Sequence, residues 1–351
     1  MNLATLRLRY TQFLITGILA VSLYVMSQSL ANGISQFDDH LWGKEALIST
    51  FNQLKLKLGD RVISKVLVGK EGWLDYTGFG NLDGYQNAFE TSPEELQNTV
   101  KKLQKLYKEL KKRNITLLLV IAPNKATIYP DKLPDEIQKL GPRSKLDVLT
   151  DYMQQSGPPI MLDLRPALLE GRKKQEIYYK TDTHWNQYGA FIGYTEIMKA
   201  LSKTYRQLTP KRIEDFELTT QKPYLHDLPR YIGATHMLET GVVISPKEND
   251  AHLAVLNNDA LAPLQIYITQ KKNSPTILMY VDSFGIKLKD FFPPQFSKST
   301  FIVNTSEYPD ALSLTTIDII KPNIVVVEMV ERSFNIRHLD DFLKQLLSRR
   351  N

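Results

Sequence analysis

The stretch between residues 92 and 122 limits the fold more than any other: an amphipathic helix runs directly into an uninterrupted apolar strand. Ser92 suits an N-cap, Pro93 fits the first turn, and Glu95 completes a capping box. Leu96, Val100, Leu103, Tyr107 and Leu110 recur at helical spacing and predict one buried stripe. Lys101, Lys102, Lys105, Lys108 and Lys112 take the other faces, and Asn114 can end the helix. Residues 115–122 (ITLLLVIA) then show no polar alternation. A strand of that kind is covered on both faces, which requires helices above and below a sheet.

The same unit recurs. Residues 146–153 read as helix, 159–164 (PIMLDL) as strand, 189–205 as helix, and 276–281 (TILMYV) and 300–303 as strands. Residues 323–329 (NIVVVEM) form a further buried strand, and 338–349 a closing helix. Alternation of this kind predicts an α/β fold: a three-layer sandwich whose mostly parallel sheet carries helices on both faces. Upstream, residues 66–76 (VLVGKEGWLDY) read as strand, Gly-Lys-Glu-Gly turn and strand. Residues 206–270 are the least regular part and are expected to form an insertion over the site.

The N-terminus predicts location. No charge occurs between Arg9 and Asp38, and residues 13–30 (FLITGILAVSLYVMSQSL) approach the length of one membrane-crossing helix. Arg7 and Arg9 precede this segment, while Asp38 and Asp39 follow it. The positive-inside tendency puts residues 1–9 in the cytoplasm and the body outside. Cleavage as a signal peptide after Ser29-Leu30-Ala31 is the alternative, and it also sends the body out. The expected division is a stub and transmembrane anchor over 1–34, a helical connector over 35–65 (Phe37, Leu41, Trp42, Leu47 and Phe51 among charges), and the main domain over 66–351. The formal charge of +6 is spread over helix faces. With no zinc-finger spacing and no basic-aromatic run, nothing resembles a nucleic-acid module. The chain has no cysteine, which excludes disulfides, thiolate zinc sites and a cysteine nucleophile.

Ligands of open α/β sheets bind beyond the carboxyl ends of the strands. Three such ends carry chemistry. The strand 276–281 runs into Asp282-Ser283-Phe284-Gly285, where a serine hydroxyl would be exposed on a fixed turn whose N–H groups can hold an oxyanion. A helix N-cap serine would occupy the same place. In 179–190 (YKTDTHWNQYGA), Asp182 is close enough to orient His184, which can act as base and then acid. Asp-x-His can also supply two metal ligands, with His226 or His236 needed as a third, but no HExxH-type spacing occurs, so no metal is expected. After the strand 115–122 come Asn124, a possible oxyanion donor, and Lys125, which can bind an acidic sugar or cover the strand end. A turn built on Pro123-Asn124 explains the same residues.

Together these blocks resemble the alginate O-acetyltransferase group of SGNH-hydrolase-like proteins (AlgX/AlgJ-like) and the related DHHW proteins. The resemblance rests on VGKEGWLDY at 68–76, APNKATIYPDKLP at 122–134, DTHW at 182–185 with its trailing NQYGA, VDSFG at 281–285 and PNIVVVEMVER at 322–332. It implies an SGNH-hydrolase-like sandwich permuted so that Asp and His precede Ser. Ser283 would be the nucleophile, His184 the general base and Asp182 its orienter. Asn124 and the main chain at Phe284 would hold the oxyanion, and Lys125, Trp185 and Tyr188 would contact sugar. The implied reaction moves an acetyl group onto hydroxyls of an exported polysaccharide. No cofactor is used, and a polytopic membrane acyltransferase supplies the acetyl group. The chain would be a single-pass membrane protein with its catalytic domain outside the cytoplasm. Packing around the histidine is the competing role for Trp185. A plain esterase and a non-catalytic glycan-binding scaffold are the competing functions. Val281 departs from the glycine that many such serine blocks place before Asp-Ser. The chain also ends soon after its last strand, so polymer binding would fall to the catalytic domain.

Overall fold

Seven strands build the central sheet: β1 (Thr116–Ala122), β2 (Met161–Asp163), β3 (His252–Ala254), β4 (Leu264–Ile268), β5 (Thr276–Val281), β6 (Lys298–Val303) and β7 (Ile324–Val330). The computed structural model describes residues 16–17, 44–88, 92–247, 252–254, 264–303, 312–333 and 336–347. The strand order is β3-β4-β6-β5-β7-β1-β2. β6, β5, β7, β1 and β2 run parallel. β4 and β3 extend the sheet as an antiparallel edge. The mostly parallel sheet is present, and its antiparallel edge comes out of the stretch that looked irregular in sequence.

The helices that cover the sheet are α1 (Pro93–Lys112), α2 (Lys145–Ser156), α3 (Gln187–Ser202), α4 (Leu314–Ile320) and α5 (Ile336–Leu347). Successive strand side chains face opposite ways, so the apolar run of β1 divides between two cores. Leu118, Val120 and Ala122 join Met279, Val281 and Val326 under α3. Leu117, Leu119 and Ile121 join Leu278, Tyr280, Val325 and Val327 under α1, α2, α4 and α5. Fully burying each such side chain is worth about 1.5–3 kcal/mol relative to exposure, against which the entropy of ordering is set. Ser92 caps α1 by accepting from Glu95 N at 3.3 Å. The buried stripe runs through Leu96, Val100, Leu103, Leu106 and Leu110. Leu106 takes the place expected of Tyr107, which is half-buried.

The chain divides into two compact units, 1–54 and 55–351. The apolar segment 13–30 lies outside the described residues apart from Thr16 and Gly17. Among the described residues, no helix is long and apolar enough to cross a membrane. Within the second unit, the strands Val66–Val68 and Leu74–Tyr76 form the expected hairpin. Residues 206–270 supply an antiparallel pair (Phe216–Thr220 with Val242–Pro246), a short helix Asp227–Ile232, and the two edge strands of the central sheet.

The register brings three strand ends together. Val330 at the end of β7 pairs with Ala122 at the end of β1, and Tyr280 of β5 pairs with Val327 of β7. Asn124, Arg332 and Ser283 therefore leave adjacent strands on one edge of the sheet.

Candidate functional site

Ser283 is exposed on the turn that follows β5. That turn is held by the side chain before it. Asp282 Oδ1 accepts from Phe284 N at 2.8 Å, and Oδ2 accepts from Val330 N at 2.7 Å. Asp282 N donates to Glu328 Oε2 at 3.2 Å. A Cβ at residue 285 would collide with Val281 and with Glu328. This accounts for Val281: the bulk that a glycine would have omitted before the Asp-Ser pair is accommodated by the glycine after it. The Phe284 N–H, expected to serve an oxyanion, is already committed to Asp282. That expectation is corrected, because an N–H held at 2.8 Å by a carboxylate is not free for substrate.

Glu328 lies beneath the turn, 1% exposed, and its Oε1 has no hydrogen-bond partner. Burial, reinforced by Asp282, pushes its carboxyl well above the usual range, which favours the neutral acid. A carboxyl whose pKa is raised on folding contributes stability at low pH that is lost as pH rises through the folded value. Glu328→Gln removes this liability and keeps an acceptor for Asp282 N. The melting temperature of the variant relative to wild type is expected to rise between pH about 4 and pH about 8. A difference that stays flat or falls over that range would show Glu328 charged in the folded protein.

The segment 180–184 brings the histidine to the serine turn. Asp182 Oδ1 accepts from His184 N at 2.8 Å and pairs with His184 Nδ1 at 2.6 Å. Oδ2 pairs with His226 Nδ1 at 2.8 Å. Burial opposes the charge on Asp182, but the hydrogen bonds from the two imidazoles outweigh it and hold the carboxyl far below the usual range. The His184 ring lies 5.0 Å from the ring of Phe284, the residue after Ser283. Trp185 secures the same junction, its indole N–H donating to Phe284 O at 3.0 Å. His184 Nε2 is buried and makes no hydrogen bond, to Ser283 or to any other described residue. Asp182, His184 and the Ser283 turn thus gather at one edge of the sheet, while the serine–histidine hydrogen bond is not formed. Catalytic hydrogen bonds are often looser without substrate.

Lys125 and Trp185 do not reach substrate. Lys125 is 3% exposed, and its ammonium donates to Tyr179 O (3.1 Å), Lys180 O (3.2 Å) and Asp182 O (2.7 Å). Its three donors are spent on the loop that carries Asp182, so it anchors that loop and binds no acidic sugar. Trp185 is fully buried, which leaves no face for a sugar ring. Tyr188 sits in the first turn of α3, half-buried against the core under that helix. Lys125→Met strips three carbonyls of their donor. It is expected to lower stability by about 2–5 kcal/mol. Urea unfolding measures this, and a change below about 1 kcal/mol would contradict the anchoring role.

Asn124 is 3% exposed. Its N–H donates to Glu331 Oε2 at 2.9 Å, and its Oδ1 accepts from Arg332 at 3.4 Å. The donor that an oxyanion requires, Nδ2, therefore sits on the other end of a fixed amide. Arg332 was not singled out in the sequence. Its guanidinium lies over the Phe284 ring at 5.1 Å and the Tyr76 ring at 5.7 Å. The available signal was its position directly after a buried strand, like Ser283 and Asn124.

Ligand atoms of Asp182, His184 and Asp227 lie within 4.8 Å of one another. The two oxygens of Asp182 are engaged by imidazoles, and those of Asp227 by Thr183 N (3.0 Å) and Thr183 Oγ1 (2.5 Å). A cation there would have to displace N–H and O–H donors that already satisfy both carboxylates.

Residues 66–254 match the family model described as SGNH hydrolase-like domain, acetyltransferase AlgX. A probable alginate O-acetylase AlgJ of Pseudomonas fluorescens is 25% identical over 239 residues, covering 64% of this chain and 56% of that protein. Its counterpart in Pseudomonas syringae pv. tomato is 24% identical over 208 residues, covering 56% and 49%. The chain thus spans about half the length of the curated relatives it matches. Bacillus cereus PatB1 superposes with a TM-score of 0.56 at 17% identity, covering 76% of this chain and 96% of that one. A DHHW family protein from Eubacterium siraeum gives 0.54 at 14% identity, covering 74% and 92%. These two share the fold.

Proposed function

The chain belongs to the family of SGNH hydrolase-like domains typified by the acetyltransferase AlgX, and from that premise we propose that it is a serine O-acetyltransferase acting on the hydroxyls of an exported polysaccharide. One observation carries this reading: an aspartate 2.6 Å from the Nδ1 of a histidine whose ring packs on the residue following an exposed strand-end serine. The Asp182 contact places the proton on Nδ1 and leaves the Nε2 lone pair as the base.

In the first step Ser283 Oγ attacks the carbonyl carbon of the acetyl donor and passes its proton to His184 Nε2. The tetrahedral oxyanion is held by the Asn124 amide and the main-chain N–H of Ser283. The carbon–oxygen bond to the donor breaks, the donor leaves with the proton from His184, and acetyl-Ser283 remains. A sugar hydroxyl then attacks the acetyl-serine, giving its proton to His184; the bond from Ser283 Oγ to the acetyl carbon breaks, and Ser283 Oγ takes that proton back from His184 as it leaves.

The catalytic domain would work outside the cytoplasm, tethered by the segment 13–30, with a polytopic membrane acyltransferase supplying the acetyl group. An alginate-like polysaccharide is the first acceptor to try, because the named relatives are probable alginate O-acetylases. The test is incubation with an activated acetyl ester, with and without oligosaccharide acceptors. Transfer predicts acetylated oligosaccharide and faster donor consumption when acceptor is present. Acetate released at one rate, whatever the acceptor, would make the protein an esterase. A folded protein that a fluorophosphonate fails to label would leave it a glycan-binding scaffold.

A further inference from the structure

We propose that His226 is a positioning residue of this site: a second imidazole on Asp182 that fixes which carboxylate oxygen serves His184. The inference rests on the function proposed above. Its evidence is separate, and lies in the segment 224–239.

Asp182 uses one oxygen twice, for His184 N and for His184 Nδ1. Its other oxygen would be a buried acceptor with no protein donor but for His226 Nδ1 at 2.8 Å. A half-satisfied buried carboxylate is costly and is free to rotate about its χ2 torsion until a donor is found. With His226 in place, either rotation breaks a hydrogen bond. Asp182 is therefore locked with Oδ1 toward His184.

His226 is placed to hold Asp182 and not to act on substrate. Its side chain is 1% exposed. Its ring is packed between those of Tyr179 and Tyr224, at 4.3 and 4.1 Å. Its Nε2 is buried and makes no hydrogen bond among the described residues. An imidazole kept this dry, with one nitrogen unsatisfied, is poorly explained by packing alone, since a phenyl ring would fill the space at lower cost.

The neighbours of His226 act on the same loop. Asp227 accepts from Thr183 N and Thr183 Oγ1, and Leu228 N donates to Thr181 O at 3.3 Å. Glu239 accepts from Lys180 N (2.9 Å), Thr181 N (2.9 Å) and Thr181 Oγ1 (2.7 Å). Lys125 grips the carbonyls of residues 179, 180 and 182. The loop is thus held by Lys125 through three carbonyls and by the insertion through N–H and hydroxyl groups and the carbonyl of Thr181. The insertion belongs to the catalytic unit, and His226 is its contact with the acid of the triad.

The experiment compares wild type, His226→Phe and His226→Asn. Phe keeps the ring between the two tyrosines and removes the donor; Asn keeps a donor at the position of Nδ1 and removes the ring. The readout is the rate constant for labelling of the full-length protein by a fluorophosphonate across pH, with thermal melting as the control for folding. Charged and titratable groups besides the two histidines face this centre: Asp75, Lys125, Asp227 and Glu239 around the loop, Tyr179 (with Lys287 over its ring) and Tyr224 against His226, and Asp282 and Arg332 at the serine turn. They are unchanged in both variants. Losing a donor concentrates negative charge on Asp182 and favours the imidazolium of His184. The acidic limb of the profile is therefore expected to move to higher pH in His226→Phe, with labelling slowed about 10- to 100-fold on its plateau. His226→Asn is expected to stay within about threefold of wild type. Folded His226→Phe with wild-type labelling and an unmoved limb overturns the role of His226 alone. A slowed His226→Asn beside an unaffected His226→Phe also overturns it, because the ring would then matter and the donor would not. A folded wild type that does not label at all overturns the proposed function, and this role with it.

Discussion

Replacing Ser283 by alanine is expected to lower acetyl transfer and acetyl-ester hydrolysis by about four to six orders of magnitude. The melting temperature should stay within about 2 °C of wild type. The two expectations have separate causes. Ser283 is exposed on a turn held by Asp282, Glu328 and Val330, so its hydroxyl carries no folding load that the structure shows. Its hydroxyl is also the only nucleophile placed beside His184 in the proposed mechanism, so nothing replaces it. Steady-state kinetics and a thermal melt on one preparation decide the matter. Retention of more than a hundredth of the wild-type rate in a folded variant would move the nucleophile elsewhere.

Asp182→Asn is expected to cost about four orders of magnitude in kcat with little change in KM. Three donors converge on the carboxylate: His184 N, His184 Nδ1 and His226 Nδ1. An amide offers one acceptor oxygen where two are used, and it sets an NH2 group against at least one imidazole. The neutral His184 ring then gains by moving its proton to Nε2, which removes the lone pair that takes the proton of Ser283. Fold stability should fall as well, because the NH2 group that replaces Oδ1 leaves the main-chain N–H of His184 without its acceptor, at about 1–3 kcal/mol. In wild type the lowered pKa of Asp182 means that its share of stability is fully present above the unfolded value and is lost progressively as pH falls from there toward the folded value. The stability difference between wild type and variant should therefore be flat across neutral pH. Activity that survives the substitution would detach Asp182 from catalysis.

Two aspartates of the site show how environment separates similar residues. Asp182 and Asp282 each precede a reactive residue closely, and each accepts main-chain N–H groups. Asp182 also meets two imidazoles and is held ionised. Asp282 meets no side-chain donor among the described residues, lies beside Glu328, and is pushed up by burial. The first can support a positive charge on His184, while the second serves as a staple for the serine turn.

What the chain discloses in one dimension is what repeats along it or lies within a few residues. The switch from a 3.6-residue period over 93–112 to an unbroken apolar run over 116–122 requires helix then two-sided strand, and five strands read in this way require a layered sheet. The aspartate–histidine spacing of two likewise puts the carboxylate within reach of the imidazole. Tertiary structure decided the rest, because it acts between residues that the crossovers bring together from far apart in the chain. It set His226 against Asp182, 44 positions away. It buried Lys125 under carbonyls more than 50 positions on. It diverted the Phe284 N–H to a neighbour whose own geometry depends on β7. A donor's commitment depends on every acceptor within about 3 Å of it, and a linear pattern carries no record of that neighbourhood.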